Sequence, residues 1–201
     1  MKISLIDYGT NNVASVERAF SRLGAECIRA TAAEPLLNSE AIVLPGVGHF
    51  AALIRALDKE NMRAPLLTAI DRGVPFLGIC LGLQALCRTS EEAPGIAGLG
   101  VVPGSVVSLP KNVKLPHMGW NQIADAGESR LLRDTPSDSY FYFAHSFALG
   151  TAHSGTTASC TYGSKFTAVL ESKNIFAVQF HPEKSGPAGA RVLANFLSLA
   201  A

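Results

Sequence analysis

The first ninety residues alternate between short apolar runs and amphipathic stretches. Residues 2–7 (KISLID) lean on Ile and Leu and predict a strand. Over 12–23, Val13, Val16, Ala19, Phe20 and Leu23 fall at helical spacing, with Asn12 as N-cap and Gly24 as stop. A short strand is predicted near 26–29, and an apolar one over 41–44 that ends at the loop PGVG, residues 45–48. Helices follow near 50–59 and 63–72, the second closed by Gly73. Residues 75–79 (PFLGI) read as a fourth buried strand, and a further helix begins at about 82. Strands and helices in this rhythm make a parallel sheet covered on both faces.

The pattern then changes. Residues 100–124 and 139–180 carry short β-like pieces, among them YFYFAHSF, TTASCTY, FTAVLES and IFAVQF, which suggest antiparallel additions to the same sheet. Residues 187–199 form an amphipathic helix opened by proline. With no repeat or linker, the expectation is one α/β domain over 1–201: a mostly parallel central sheet, flanking helices and additional antiparallel strands.

Composition narrows the function classes. Hydrophobic residues make up 48% of the 201 and charged residues 16%, which argues against disorder. The formal net charge of +1, spread along the chain, leaves no footprint for nucleic acid. No apolar run reaches the ~18 residues of a membrane span, and MKISLIDYG lacks signal-peptide features. A cytoplasmic protein is expected. Cys27, Cys80, Cys87 and Cys160 match no zinc spacing and need no disulfide framework, so neither metal nor organic cofactor is called for.

Candidate chemistry lies at three predicted strand ends, where open α/β sheets bind ligands. FLGICLGLQAL, residues 76–86, puts Cys80 between Gly78 and Gly82 at a strand-to-helix junction. This suits a nucleophile on a tight turn, the thiol counterpart of the G-x-S-x-G elbow, and equally a buried cysteine in a glycine-containing turn. IFAVQFHPE, residues 175–183, ends a strand on His181 and Glu183. In an extended segment the two share a side, as base and orienting group or as a solvated strand end. In PGVG the glycines leave the backbone free to point an N–H at an oxyanion, or simply to turn.

Taken together, PGVG, GICLGLQ and HPE resemble the class I, triad-type glutamine amidotransferases. More narrowly, IDYG (6–9), PGVGHF (45–50), PHMGWN (116–121) and AVQFHPEKSG (177–186) resemble the glutaminase subunits of imidazole glycerol phosphate synthases, nearly end to end. The resemblance implies that Cys80 attacks the glutamine side-chain amide, that His181 moves the proton and that Glu183 orients His181. It implies an oxyanion hole from backbone N–H groups at Val47 or Gly48 and at Leu81. It also implies glutamine contacts at Gly46, Gln84, His145, Ser146 and Phe147. The implied partner is a cyclase subunit, in a heterodimer, that docks on Trp120 and Asn121, with Asn12 and Lys184 next. Two positions depart from the pattern: Asn11 replaces a glycine and Phe147 a frequent tyrosine. His49 receives no role. A cysteine hydrolase of similar architecture would place histidine directly after the elbow cysteine, where this chain has Leu81. The glutaminase of another synthase, or a non-catalytic binding subunit on the same fold, are the remaining alternatives.

Overall fold

The computed structural model describes residues 1–9, 12–125 and 129–201; Asn11 lies outside the described residues. The apolar runs of the first half pair as four parallel strands: β1 (Lys2–Ile6), β2 (Glu26–Ala30), β3 (Ala41–Gly46) and β4 (Phe76–Cys80). Between them run α1 (Val13–Arg22), α2 (Glu34–Leu37), α3 (Phe50–Lys59) and α4 (Arg63–Asp71). After Cys80 come α5 (Leu81–Leu86) and the strands β5 (Cys87–Ser90) and β6 (Val102–Ser108). The second half adds β7 (His117–Gln122), β8 (Ala124–Asp125), β9 (Tyr140–His145), β10 (Phe147–Leu149), β11 (Thr156–Tyr162), β12 (Ser164–Ser172) and β13 (Ile175–Val178). A 3-10 turn over Pro182–Lys184 leads into α6 (Gly186–Ala200).

The main sheet has eight strands in the order β2-β1-β3-β4-β13-β12-β11-β8. Strand β13 joins β4 in parallel, and from β12 outward the pairing is antiparallel. Both faces are covered. Ile3, Leu5, Val43, Leu77 and Ile79 pack with Val16 and Phe20 of α1 and Val192 and Phe196 of α6. Ile42, Leu44 and Phe76 pack with Leu53 and Leu57 of α3 and Leu66 and Ile70 of α4. Burial on both sides explains why these strands read as unbroken apolar runs. Strands β10, β6 and β5 form a small second sheet, and β7 pairs with β9 as an antiparallel ribbon. No helix among the described residues is long and apolar enough to cross a membrane.

The α/β expectation therefore holds, with local corrections. The helix after Cys80 ends at Leu86, and Cys87 begins a strand instead of continuing the helix. Gly98 packs at this junction so closely that a Cβ there would lie 2.1 Å from the Cys87 carbonyl oxygen. Cys87 is still a core residue, its thiol pushed up to about 12 by burial. The one-turn helix α2 escaped the sequence pattern because four residues are too few to show a period.

Candidate active site

Strands β3, β4 and β13 are neighbours, and their carboxyl ends carry the three candidate segments. Cys80 is the last residue of β4. It takes φ 53 and ψ −103, a conformation that non-glycine residues rarely adopt and that costs roughly 1–3 kcal/mol. The strain thus sits on the cysteine, not on its glycines. Gly78 and Gly82 instead permit close packing. A Cβ on Gly82 would lie 2.0 Å from the Leu44 carbonyl oxygen, and one on Gly78 2.8 Å from the Gly82 backbone. Gly46 belongs to the same packing, since its Cβ would meet Leu81 Cβ at 2.6 Å. Gly46, expected as a glutamine contact, packs beneath the elbow against Leu81 and Gly82.

His181 follows β13 and is fully buried. Its N–H donates to the Tyr142 carbonyl at 2.8 Å, and its own carbonyl accepts from the Ser185 hydroxyl at 2.6 Å. Nδ1 lies 2.9 Å from Glu183 Oε1. The two side chains meet across the 3-10 turn at Pro182–Lys184, not through the extended alternation predicted for HPE. Because a carboxylate can only accept, Nδ1 carries the proton and Nε2 is the atom available to the thiol. Nε2 is buried and has no hydrogen-bond partner among the described residues, and Cys80 is among the groups that raise the pKa of the ring.

Electrostatics tie the three together. Burial by itself pulls the His181 pKa down, but the Cys80 thiolate charge and the hydrogen-bonded Glu183 outweigh it and raise it to about 10. Burial likewise pushes the Glu183 pKa up, but His181 and a hydrogen bond from Asn12 hold the carboxyl below the ordinary carboxylate value. The arrangement sets a histidine base, braced by a buried carboxylate, against the cysteine, the combination that activates a cysteine nucleophile.

Cys80 opens into a small cavity of about 70 Å³. Val47, Gly48, Leu81, Gln84, His145, Ser146 and Phe147, all expected here, line it together with Glu92 and Ala144. Gly48 has φ +102, so the loop after β3 needs glycine at this point. Phe147 contributes its backbone: its carbonyl accepts from Gln84 Nε2 at 2.8 Å, so the missing tyrosine hydroxyl leaves that bond intact. His49 caps α3, its Nδ1 accepting from Ala51 N–H at 3.1 Å. A larger groove of about 410 Å³, lined in part by Trp120, Tyr140 and Arg191, is lined by neither Cys80 nor His181.

Two residues in and around this cavity were not singled out in the sequence. Glu92 accepts from the Phe50 N–H at 2.7 Å at the start of α3, and nothing in the polar turn SEE singled it out. Gln179 is fully buried and donates to Cys80 Sγ at 3.5 Å; its place in AVQFHPE was the available signal.

The four residues expected at a partner surface separate. Trp120 is 54% exposed on the outer face of the β7–β9 ribbon, edge-on to Tyr142, and the Lys184 ammonium lies 5.8 Å from the Tyr142 ring. Asn121 is on the opposite face, with Nδ2 directed inward to His117 and to the Thr161 carbonyl. Asn12 is only 5% exposed, and its side chain is spent on Glu183, which leaves α1 without a side-chain cap.

The model of the class-I glutamine amidotransferases matches residues 4–200 of the chain. The chain belongs to this family. Among curated relatives of this amidotransferase, the imidazole glycerol phosphate synthase subunit HisH of Methanothermobacter thermautotrophicus is 46% identical over 197 residues, 98% of each chain. The subunit of the same name from Pectobacterium atrosepticum is 43% identical over 200 residues, 99% of this chain and all of that one. The fold is shared with a crystallised glutamine amidotransferase (TM-score 0.79, 18% identity, 98% of each chain). It is also shared with PurLQS from Thermotoga maritima (TM-score 0.77, 20% identity, 98% of each chain).

Proposed function

We propose that this amidotransferase is the glutaminase subunit of an imidazole glycerol phosphate synthase, acting in histidine biosynthesis. The observation that carries this reading is near-full-length identity of 38–46% to subunits of that name, joined to an intact nucleophile, base and orienting carboxylate. In this reading Cys80 Sγ attacks the side-chain carbonyl carbon of glutamine. The oxyanion is held by N–H groups of Leu81 and of Val47 or Gly48. Protonated His181 gives its proton to the departing ammonia, leaving a glutamyl thioester on Cys80. Water, deprotonated by His181, then releases glutamate. Gln84 and the Glu92 carboxylate suit the substrate's α-amino acid end, the carboxylate matching the ammonium group. A cavity of about 70 Å³ accommodates the carboxamide, with the rest of the substrate toward the mouth.

The ammonia serves a separate cyclase subunit, which docks on the face that carries Trp120 and Lys184. The two chains form a heterodimer, and the 1–201 chain acts as one domain. Glutamate release from glutamine is the test, run on the chain alone and then with a cyclase subunit and its nucleotide substrate. Strong stimulation by the full mixture is expected. No release in any mixture, with Cys80 reduced, would overturn the reading.

A further inference from the structure

Behind the nucleophile, six polar groups form one continuous hydrogen-bonded chain. Gln179 Nε2 donates to Cys80 Sγ at 3.5 Å, and Gln179 Oε1 accepts from Gln84 Nε2 at 3.3 Å. Gln84 Nε2 also donates to the Phe147 carbonyl at 2.8 Å. The same carbonyl lies 2.9 Å from His145 Nδ1. His145 Nε2 lies 3.2 Å from His117 Nδ1, and His117 Nε2 lies 3.4 Å from Asn121 Nδ2. Gln179, Gln84, His145 and His117 are all buried.

Every orientation in this chain follows from backbone groups at fixed places. The Phe147 carbonyl can only accept, so His145 carries its proton on Nδ1 and accepts on Nε2. His117 must then donate through Nδ1 and accept on Nε2. At the outer end Asn121 is set independently, because its Oδ1 accepts from the Gln122 N–H at 2.8 Å and its Nδ2 faces the Thr161 carbonyl. Its N–H therefore points at His117 Nε2, as the inner end requires. On the other branch the Phe147 carbonyl fixes the Gln84 amide, Gln84 fixes the Gln179 amide, and an N–H is left facing sulfur. Burial keeps both imidazoles neutral, as a chain of this polarity needs. The His117 ring is held flat between Phe143 and Tyr162, with centroids at 4.8 and 4.0 Å.

We infer that Gln179 is a catalytic donor to the Cys80 thiolate, and that His117 and His145 are positioning residues that hold this donor and Gln84 in register from the β7 ribbon. The inference deepens the glutaminase reading and rests on it. An N–H on sulfur favours thiolate over thiol. If His117 loses its donor, His145 Nε2 is left unsatisfied and the imidazole is free to turn toward another donor; the Phe147 carbonyl that fixes the Gln84–Gln179 pair then loses one of its two donors and its anchoring.

The experiment follows the pH dependence of Cys80 alkylation by iodoacetamide, together with kcat and KM for glutamine in the assembled complex. Three variants are compared: Gln179→Met, His117→Phe and His117→Asn. Gln179→Met is expected to raise the alkylation midpoint by about one pH unit, tenfold in thiolate at fixed pH. His117→Phe fills the stacking slot without a donor. It is expected to raise the midpoint by less and KM several-fold. His117→Asn returns a donor near the Nδ1 position and is expected to recover at least half of both changes. An unmoved midpoint in Gln179→Met overturns the inference, and this arm stands even if His117→Phe fails to fold. Equal behaviour of His117→Phe and His117→Asn, both with native circular dichroism, also overturns it. The alkylation profile needs no glutamine, so it separates this inference from the glutaminase reading, whose own failure is a wild type that releases no glutamate in any mixture.

Discussion

Asn12 Nδ2 lies 2.9 Å from Glu183 Oε1, across 171 residues of sequence. The contact ties the start of α1 to the carboxylate paired with His181; Asn12 is buried, and so is the Glu183 side chain. A hydrogen bond to a buried charge is worth roughly 1.5–3 kcal/mol. Asn12→Ala is therefore expected to lower kcat for glutamine by about tenfold or more, with a smaller change in KM. Asn12→Asp keeps the shape but sets a second carboxylate against Glu183, and it should be worse than alanine. Steady-state glutaminase kinetics on the two variants decide; an alanine variant with wild-type kcat would remove Asn12 from the site.

If the chain works with a cyclase subunit as proposed, Cys80→Ala should abolish glutamine-dependent synthesis by that complex while leaving synthesis from added ammonium salts, since in that reading the cyclase chemistry does not use the thiol. Loss of both activities would mean that Cys80 has a structural role across the partner boundary.

Gly82→Ala tests the elbow without touching the thiol. The new Cβ would lie 2.0 Å from the Leu44 carbonyl oxygen, a backbone atom that cannot move aside alone. A loss of roughly 2 kcal/mol or more of stability is expected. Chemical denaturation measures it, and wild-type stability would show that β3 and α5 separate more easily than their packing suggests.

This position also marks what the sequence could and could not show. The glycines at 78 and 82 pointed to a tight junction, but their reason is how closely α5 approaches β4 at Gly78 and β3 at Gly82, which no local pattern encodes. The parallel core was legible because strands buried on both faces leave continuous apolar runs. The pairing of His181 with Glu183 was legible from HPE, whereas its geometry was not. Pro182 starts a 3-10 turn, and the pair meets across that turn. Asn12 was visible as a helix start, but its contact with Glu183 depends on α1 packing near the turn that follows β13. Glu92 and Gln179 were missed for the same reason: each reaches the site through neighbours distant in sequence.

Trp120 is the apolar anchor of the exposed ribbon face, beside Tyr142 and with Met118 and Tyr140 also open to solvent. If a cyclase subunit docks here, Trp120→Ala is expected to weaken the complex by about 2 kcal/mol, roughly thirtyfold in Kd. Calorimetric titration against the partner checks this. Unchanged affinity would move the docking surface elsewhere.

Stability should fall in acid through the paired histidines. Burial lowers the His117 pKa to about 4 and that of His145 to about 3, from an ordinary value of 6.5. Below 6.5 the unfolded chain takes up protons that the folded chain refuses, so the unfolded state binds more of them and stability drops as pH falls. Their contribution is complete above 6.5 and is lost progressively toward pH 3–4. Protonation of His145 would also set an N–H on Nε2 against the Nδ1–H of His117, which adds repulsion to desolvation. His117→Phe removes one titrating group and that clash, so its melting temperature should vary less between pH 7 and 5 than that of the wild type. His181 acts in the opposite sense: its raised value contributes stability below 6.5 that is lost as pH climbs toward 10. Thermal melts of the two proteins from pH 5 to 7 isolate the acid limb. Parallel curves would mean that His117 accepts a proton in the folded state, and that its hydrogen bond to His145 does not require the neutral form.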